Sequence, residues 1–343
     1  MNENPTHSED SENPAPGRPL RLGRWFGHAR SVAGRSHDRT GAPCQDASRY
    51  FDSPDIAIAV VADGAGSRPH SQLGAQIAAN TTLQWLQCLS VEDIVGCDEH
   101  HITRVIHDVV HSQVVEAAHE AGHAPDDYAC TLGFVIAGGK RFIAANLGDG
   151  LIFGVANQQI DLLTTQDRGE FANVTWFLTS PGSQARWSIR SGDAEAYSGF
   201  VLCTDGVGDT LWHRATGRFA PALSQIVGWF SQTSALEVRD TIDNTFLPMA
   251  RQRTTDDCTV ALICRTVFTL DHIESFTLAR QAEYLGIRKG HGLRNRLCMA
   301  RQLQIATENE SAHEPLLTHG MTDRTAERHA DYLRRMTVVT GSP

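Results

Sequence analysis

The chain carries no surplus of positive charge, no long apolar run and no regular cysteine framework, and each absence removes a class of function. Its 343 residues hold 30 Lys and Arg against 40 Asp and Glu, a formal net charge of −10. Phosphate backbones demand clustered cations, so nucleic acid is excluded as a general partner. The longest purely apolar stretch, Ile56 to Ala62, is far too short to span a bilayer, and no membrane association is expected. The opening segment, M-N-E-N-P-T-H-S-E-D, has no apolar core and does not read as a secretory signal. The eight cysteines (44, 88, 97, 130, 203, 258, 264 and 298) form no C-x-x-C pair. Several sit inside apolar runs, where a thiol acts as a small hydrophobe, and a reducing, cytoplasmic location is the expectation. With 41% hydrophobic and 20% charged residues, the composition is that of an ordinary globular protein.

Residues 1–19, rich in Asn, Glu, Ser and Pro, read as a disordered tail. Residues 20–268 read as the main domain. Strands are predicted at Ile56–Ala62, Thr131–Ala137, Phe142–Asn146, Leu151–Val155, Phe200–Thr204 and Thr259–Arg265, all rich in Val, Ile and Phe. Short links between several of them predict antiparallel meanders. Ser71–Leu89 and Ile102–Ala121 carry helical spacing, the second through Val105, Val109, Val110, Val114 and Ala117. Strands and helices segregated in this way predict an α+β layered fold. Residues 269–343 hold no convincing strand but three helix-like stretches near 272–285, 292–306 and 322–336, and read as a helical extension dispensable for chemistry on a small substrate.

The most informative feature is a set of aspartates at the ends of apolar runs. A-I-A-V-V-A-D-G-A-G-S brings Asp63 out of a buried strand into a glycine-rich turn, and G-F-V-L-C-T-D-G-V-G-D repeats that construction at Asp205. Asp149 lies in L-G-D-G, Asp256 and Asp257 stand just before a strand in D-D-C-T-V, and Asp46 follows Gln45 in P-C-Q-D. One D-G pair is ordinary turn punctuation. Several carboxylates converging on one crevice repel one another unless a cation lies between them, and a donor set without His or Cys suits Mg²⁺ or Mn²⁺.

In order and character these segments resemble the metal-dependent type 2C serine/threonine protein phosphatases, bacterial branch, over roughly residues 22–266. The matching elements are Q-D at 45–46, D-G-A-G-S at 63–67, A-C-T-L at 129–132, L-G-D-G at 147–150, C-T-D-G at 203–206 and D-D-C-T-V at 256–260. The resemblance implies a four-layer αββα sandwich, two antiparallel sheets flanked by helices, with a dinuclear centre at one edge. It implies that Asp63 bridges two cations, with the Gly64 carbonyl on one, and that Asp46, Asp205 and Asp256 complete the site. Asp257 is the alternative to Asp256, and Asp149 with Asp205 matches a weaker third metal position. The implied reaction is hydrolysis of phosphoserine or phosphothreonine by in-line attack of a metal-bridging hydroxide, without a cysteine nucleophile. The implied partners are a phosphorylated protein substrate and a cognate Ser/Thr kinase, in a signalling role. The family's phosphate-binding Arg position holds Gly41 here, with Arg39 or His37 as substitutes, and Gln45 replaces the usual Glu. That departure motivates an alternative, a non-catalytic phosphatase-like domain that binds a kinase or phosphoprotein; a phosphatase of small metabolites is a third reading.

Other features have bland readings. His107 and His111, one helical turn apart, read as solvated residues without a third metal ligand. The basic run 286–301 reads as a solvated helix face, with docking of an acidic partner as the alternative. Phe171, Trp176 and Phe177 read equally as a flap beside the cleft or as core.

Overall fold

A computed structural model describes residues 19–38, 41–157, 159–164, 175–287, 291–308 and 322–338. The tail read at 1–19 lies, apart from Pro19, outside the described residues, as do Arg39 and Phe171. In chain order the strands are β1 (Arg21–Val32), β2 (Ala47–Asp52), β3 (Ile56–Ala62), β4 (Leu132–Gly138), β5 (Arg141–Leu147), β6 (Leu151–Ala156), β7 (Gln159–Leu162), β8 (Ser188–Asp193), β9 (Gly199–Cys203), β10 (Trp212–His213), β11 (Arg218–Phe219) and β12 (Cys258–Thr269). The helices are α1 (Ser71–Leu86), α2 (Val91–Gly96), α3 (Glu99–Glu120), α4 (Asp205–Leu211), α5 (Ala222–Gln232), α6 (Ala235–Thr241), α7 (Leu247–Arg251), α8 (Leu270–Glu274), α9 (Leu278–Tyr284), α10 (His291–Glu308) and α11 (Asp323–Met336). The chain divides into two units, residues 25–266 and residues 1–24 with 267–343.

The larger unit is built on two five-stranded sheets, ordered β2-β3-β4-β5-β8 and β1-β12-β9-β6-β7. Alternation along β3 divides its side chains between two cores. Ile58, Val60 and Ala62 pack toward α1 and α3, where Ala75, Ala78, Ile106, Val110 and Val114 are fully buried. Ala57, Ala59 and Val61 face the other sheet and meet Trp25, Phe200 and Leu202. Small residues on one sheet thus oppose large rings on the other, which lets the two close-pack. On the outer face of the second sheet, α5 buries Leu223, Ile226, Val227 and Phe230, a helical stripe one face wide. The result is the four-layer αββα sandwich, with antiparallel pairing along β2-β3-β4-β5-β8 and along β12-β9-β6-β7.

The smaller unit gathers α8–α11 with the first residues of β1. Leu20 and Leu22 are buried in it. Its central polar residue is Arg296, 7% exposed, whose Nε donates to His329 Nδ1 at 2.9 Å and whose guanidinium lies 4.0 Å from the Tyr332 ring. Arg301 is paired with Asp271 and Glu274. The basic run is therefore not a uniformly solvated face: Arg296 and Arg301 are spent on internal contacts, and Arg294 is exposed. Arg288 and Lys289 lie outside the described residues. Among the described residues no helix is long and apolar enough to cross a membrane.

Candidate metal centre

Asp63 leaves β3 at the edge of the sheet, and its backbone is pinned there by Thr131. The Asp63 N–H donates to Thr131 Oγ1 at 3.0 Å, and the Thr131 N–H donates to the Asp63 carbonyl at 2.8 Å. Gly64 follows in an isolated antiparallel bridge to Cys130. A Cβ at Gly64 would fall 2.6 Å from the Gln45 carbonyl oxygen, so only glycine admits this approach of the Q-D segment to the D-G turn. Asp46 is 6% exposed and accepts from Thr204 Oγ1 at 2.8 Å, which joins the Q-D and T-D-G elements. Asp205 opens α4, and Gly206 beside it packs on the D-D segment: a Cβ there would lie 2.0 Å from the Asp257 carbonyl oxygen. Asp149 accepts from Thr175 Oγ1 at 2.8 Å, in a turn held by the Asn146 amide, which donates to the Gly148 and Gly150 carbonyls at 3.1 Å each.

The electrostatics tie these groups together. Burial, then the charges of Asp46, Asp205, Asp149 and Asp256, push the Asp63 carboxyl well above the usual carboxylate range. Burial is also the main cause at Asp46, pushed up to about 7, with Asp257 and Asp205 adding to it. Asp205 is pushed up to about 6 by burial, then by Asp149, Asp256 and Asp209. Among the described residues no three Asp, Glu, His or Cys side chains are drawn together closely enough to ligate one ion as they stand. The aspartates face one another within electrostatic reach rather than at ligating distance. As a donor set they fit a hard divalent cation, because positive charge would relieve the repulsion that each now feels. A cavity of about 640 Å³ between Asp98, Arg104 and Trp187 shares none of these residues.

Asp256 and Asp257 have different surroundings. Asp257 is 4% exposed; its Oδ1 accepts from the Gly34 N–H and its Oδ2 from the Gln45 N–H, each at 2.6 Å. Asp256 is exposed and acts on both Asp63 and Asp205. His37 Nδ1 lies 3.1 Å from Asp257 Oδ1. Gly41 has φ +66°, a left-handed turn conformation that would strain an arginine. The thiols are suppressed: burial, then Asp46 and Asp257, push Cys44 far up, and burial with Asp63 pushes Cys130 up to about 12. Trp176 packs against the helix-side core with Arg186 4.4 Å above its ring. Sequence reasoning passed over Asn146, Thr204 and the clamping role of Asp257. The available signal was a polar residue closing an apolar run ahead of the D-G pair, Asn146 three residues before Asp149 and Thr204 directly before Asp205.

Similarity to known proteins agrees with this geometry. Residues 33–244 match the protein phosphatase 2C family. Serine/threonine-protein phosphatase 3 of Escherichia coli K12 is 25% identical over 244 residues, covering 68% of this chain and 95% of that protein. The catalytic domain of the serine/threonine protein phosphatase PstP, solved in complex with two manganese ions, superposes with a TM-score of 0.51 at 14% identity, covering 71% of this chain and 99% of that one. The serine/threonine phosphatase Stp1 of Staphylococcus aureus gives a TM-score of 0.51 at 13% identity, over 74% and 98% of the two chains. With more than half its length matched, the chain belongs to the protein phosphatase 2C family and is a phosphoprotein phosphatase.

Proposed function

We propose that the chain is a metal-dependent serine/threonine protein phosphatase whose strand-end aspartates hold two Mn²⁺ or Mg²⁺ ions. The observation that carries this reading is Asp63, a half-buried carboxylate pressed upon by four others. Asp63 would lie between the two ions, with Asp46, Asp205 and Asp256 completing the set, and the Gly64 carbonyl as a further ligand. Asp149 and Asp205 would hold a weaker third ion. When bound, the ions would supply Lewis acidity, lowering the pKa of water and offsetting charge on the phosphoryl oxygens. PstP, solved with two manganese ions, supports the same number here.

The chain's own residues supply rigidity. Thr131 fixes the Asp63 backbone, Thr204 fixes the Asp46 carboxylate, and Asp257 ties the Gly34–Gln45 loop to the start of β12. Each holds a carboxylate or loop in place before substrate arrives, which limits reorganisation during the reaction. Arg39 and His37 remain the candidates for the substrate phosphate, and His37 stands beside Asp257. A Ser/Thr kinase must generate the phosphoprotein substrate.

The test is Asp63→Asn, with p-nitrophenyl phosphate hydrolysis and Mn²⁺-induced thermal shift read in parallel. Activity should fall at least about 100-fold, and the shift should shrink, because a central ligand is lost. Wild-type values of both in the folded variant would overturn the assignment. A wild-type protein that binds Mn²⁺ but hydrolyses nothing would overturn it as well.

A further inference from the structure

A cavity of about 410 Å³ adjoins the aspartate cluster, and its charge is opposite in sign. One wall is α4, starting at Gly206, the residue after Asp205. A second part of the lining is the Arg253–Thr254 loop that leads into Asp256. The third is the β10–β11 hairpin. Its register pairs His213 with Arg218, and directly opposed residues of an antiparallel pair project from the same face. The hairpin is anchored by Phe219, which meets the Phe153 ring edge-on at 5.9 Å.

Two guanidinium groups, Arg218 and Arg253, therefore line one pocket beside an imidazole, in a chain whose overall charge is −10. Both arginines are exposed, and among the described residues neither has an ion-pair partner. The carboxylate in the lining, Asp209, lies 3.3 Å from Arg214 Nη2 and is compensated by it. Leu211, Phe219 and Ala220 add an apolar floor. Cations gathered over such a floor suit an anionic group on a short stem, which is the form of an acidic or phosphorylated side chain.

We propose that this cavity is a specificity pocket for an anionic side chain of the substrate, a carboxylate or a second phosphoryl group, a few residues from the phosphoester being hydrolysed. The inference rests on the aspartate cluster being the reaction centre, since Gly206 of the cavity lining follows Asp205 in the chain and lies beside the Asp256 side chain. It makes the preferred substrate a phosphoprotein segment with acidic neighbours.

The experiment uses phosphopeptides identical except for one flanking position, which carries Glu, phosphoserine, Ala or Lys in turn on either side of the scissile residue. Wild-type kcat/KM should favour the Glu or phosphoserine peptide over the Ala peptide by about 3- to 10-fold, the scale of two exposed charge contacts, and high salt should erode the preference. The relative response to Glu and phosphoserine identifies which anion the pocket takes. In Arg218→Glu/Arg253→Glu the ratio should fall to one or invert in favour of Lys. Equal rates for the Glu, phosphoserine and Ala peptides in wild type would overturn the proposal, as would an unchanged ratio in the double variant. p-Nitrophenyl phosphate, which has no flanking residues, is run alongside. Failure of the wild type to hydrolyse it with Mn²⁺ sinks the reading of the aspartate cluster, whereas hydrolysis without flank preference sinks the pocket alone.

Discussion

Asp256 and Asp257 differ in what already satisfies them. Both Asp257 oxygens accept from backbone N–H groups in a site almost closed to water. Replacing one oxygen by an amide NH₂ sets donor against donor, at a cost of about 1–3 kcal/mol. Asp257→Asn should therefore lower the melting temperature of the metal-free protein. Asp256→Asn removes an exposed charge that repels Asp63 and Asp205, so it should leave that temperature unchanged or raise it while weakening the response to Mn²⁺. Thermal melts of both variants with and without Mn²⁺ decide the matter; the opposite pattern would exchange the two roles. The D-D pair is where sequence reads least well, since adjacent identical side chains carry no mark of which one is buried: the Asp256 carboxylate accepts from the neighbouring Asp257 N–H, at 2.9 Å, and stays exposed. Cys44 offers a simpler case. Burial and the charge of Asp46 hold its thiol protonated, so Cys44→Ser should keep most of the hydrolytic activity with Mn²⁺ bound. A loss of several orders of magnitude with metal binding intact would point to a thiolate nucleophile.

At the scale of elements, the strands legible in the sequence are those buried on both faces. β3 runs over the predicted Ile56–Ala62 because each side chain enters one of two cores, giving an unbroken apolar run. Edge strand β8, Ser188–Asp193, is polar and half-exposed, and nothing in its sequence marks it. β1 is broken up by Gly23, Gly27 and charged residues, although it is long, and α4 is hidden by Gly206 and Gly208, which close packing on the D-D segment and on Leu151 requires. α3 corrects another expectation. His107 is 6% exposed rather than solvated, with Trp187 Nε1 donating to its Nδ1 at 3.2 Å. The indole can only donate, so Nδ1 is the lone-pair nitrogen and the ring is neutral. Burial, then the charge of His111, holds its pKa below the ordinary value. In the unfolded chain His titrates near about 6.5, so the contribution of His107 is fully present above that pH and is lost as pH falls through the lower folded value. Melting temperatures of wild type and His107→Gln, measured between about pH 7.5 and 5, should reveal this as a wild-type advantage that shrinks on acidification. Parallel curves would show that His107 does not titrate in this way.

The whole molecule raises the question of where the chain can be cut. Sequence character changes after Phe268, which suggests removing everything from Thr269 onward. The smaller unit is not made of C-terminal residues alone, however. The Leu270 N–H donates to the Leu20 carbonyl at 3.1 Å, the Val338 N–H to the Arg21 carbonyl at 2.9 Å and the Tyr284 hydroxyl to the Leu22 carbonyl at 2.8 Å. Arg24 Nη1 donates to the Glu283 and Tyr284 carbonyls at 2.5 and 2.9 Å. Cutting at 269 strips these partners from residues 20–24 and bares Leu20 and Leu22, which are 3% and 0% exposed. Exposing a fully buried leucine costs about 1.5–3 kcal/mol, and orphaned carbonyls add to it. A chain of residues 1–268 should therefore melt lower than the full-length protein and aggregate more readily. Residues 25–266, which remove both parts of the smaller unit together, should be the more soluble of the two truncations and should retain Mn²⁺-dependent hydrolysis of p-nitrophenyl phosphate. Thermal melts, light scattering and that assay on all three chains make the comparison. A 1–268 chain as stable and as active as full length would show that residues 20–24 do not need the C-terminal helices, and the division at 24 and 267 would have no energetic weight.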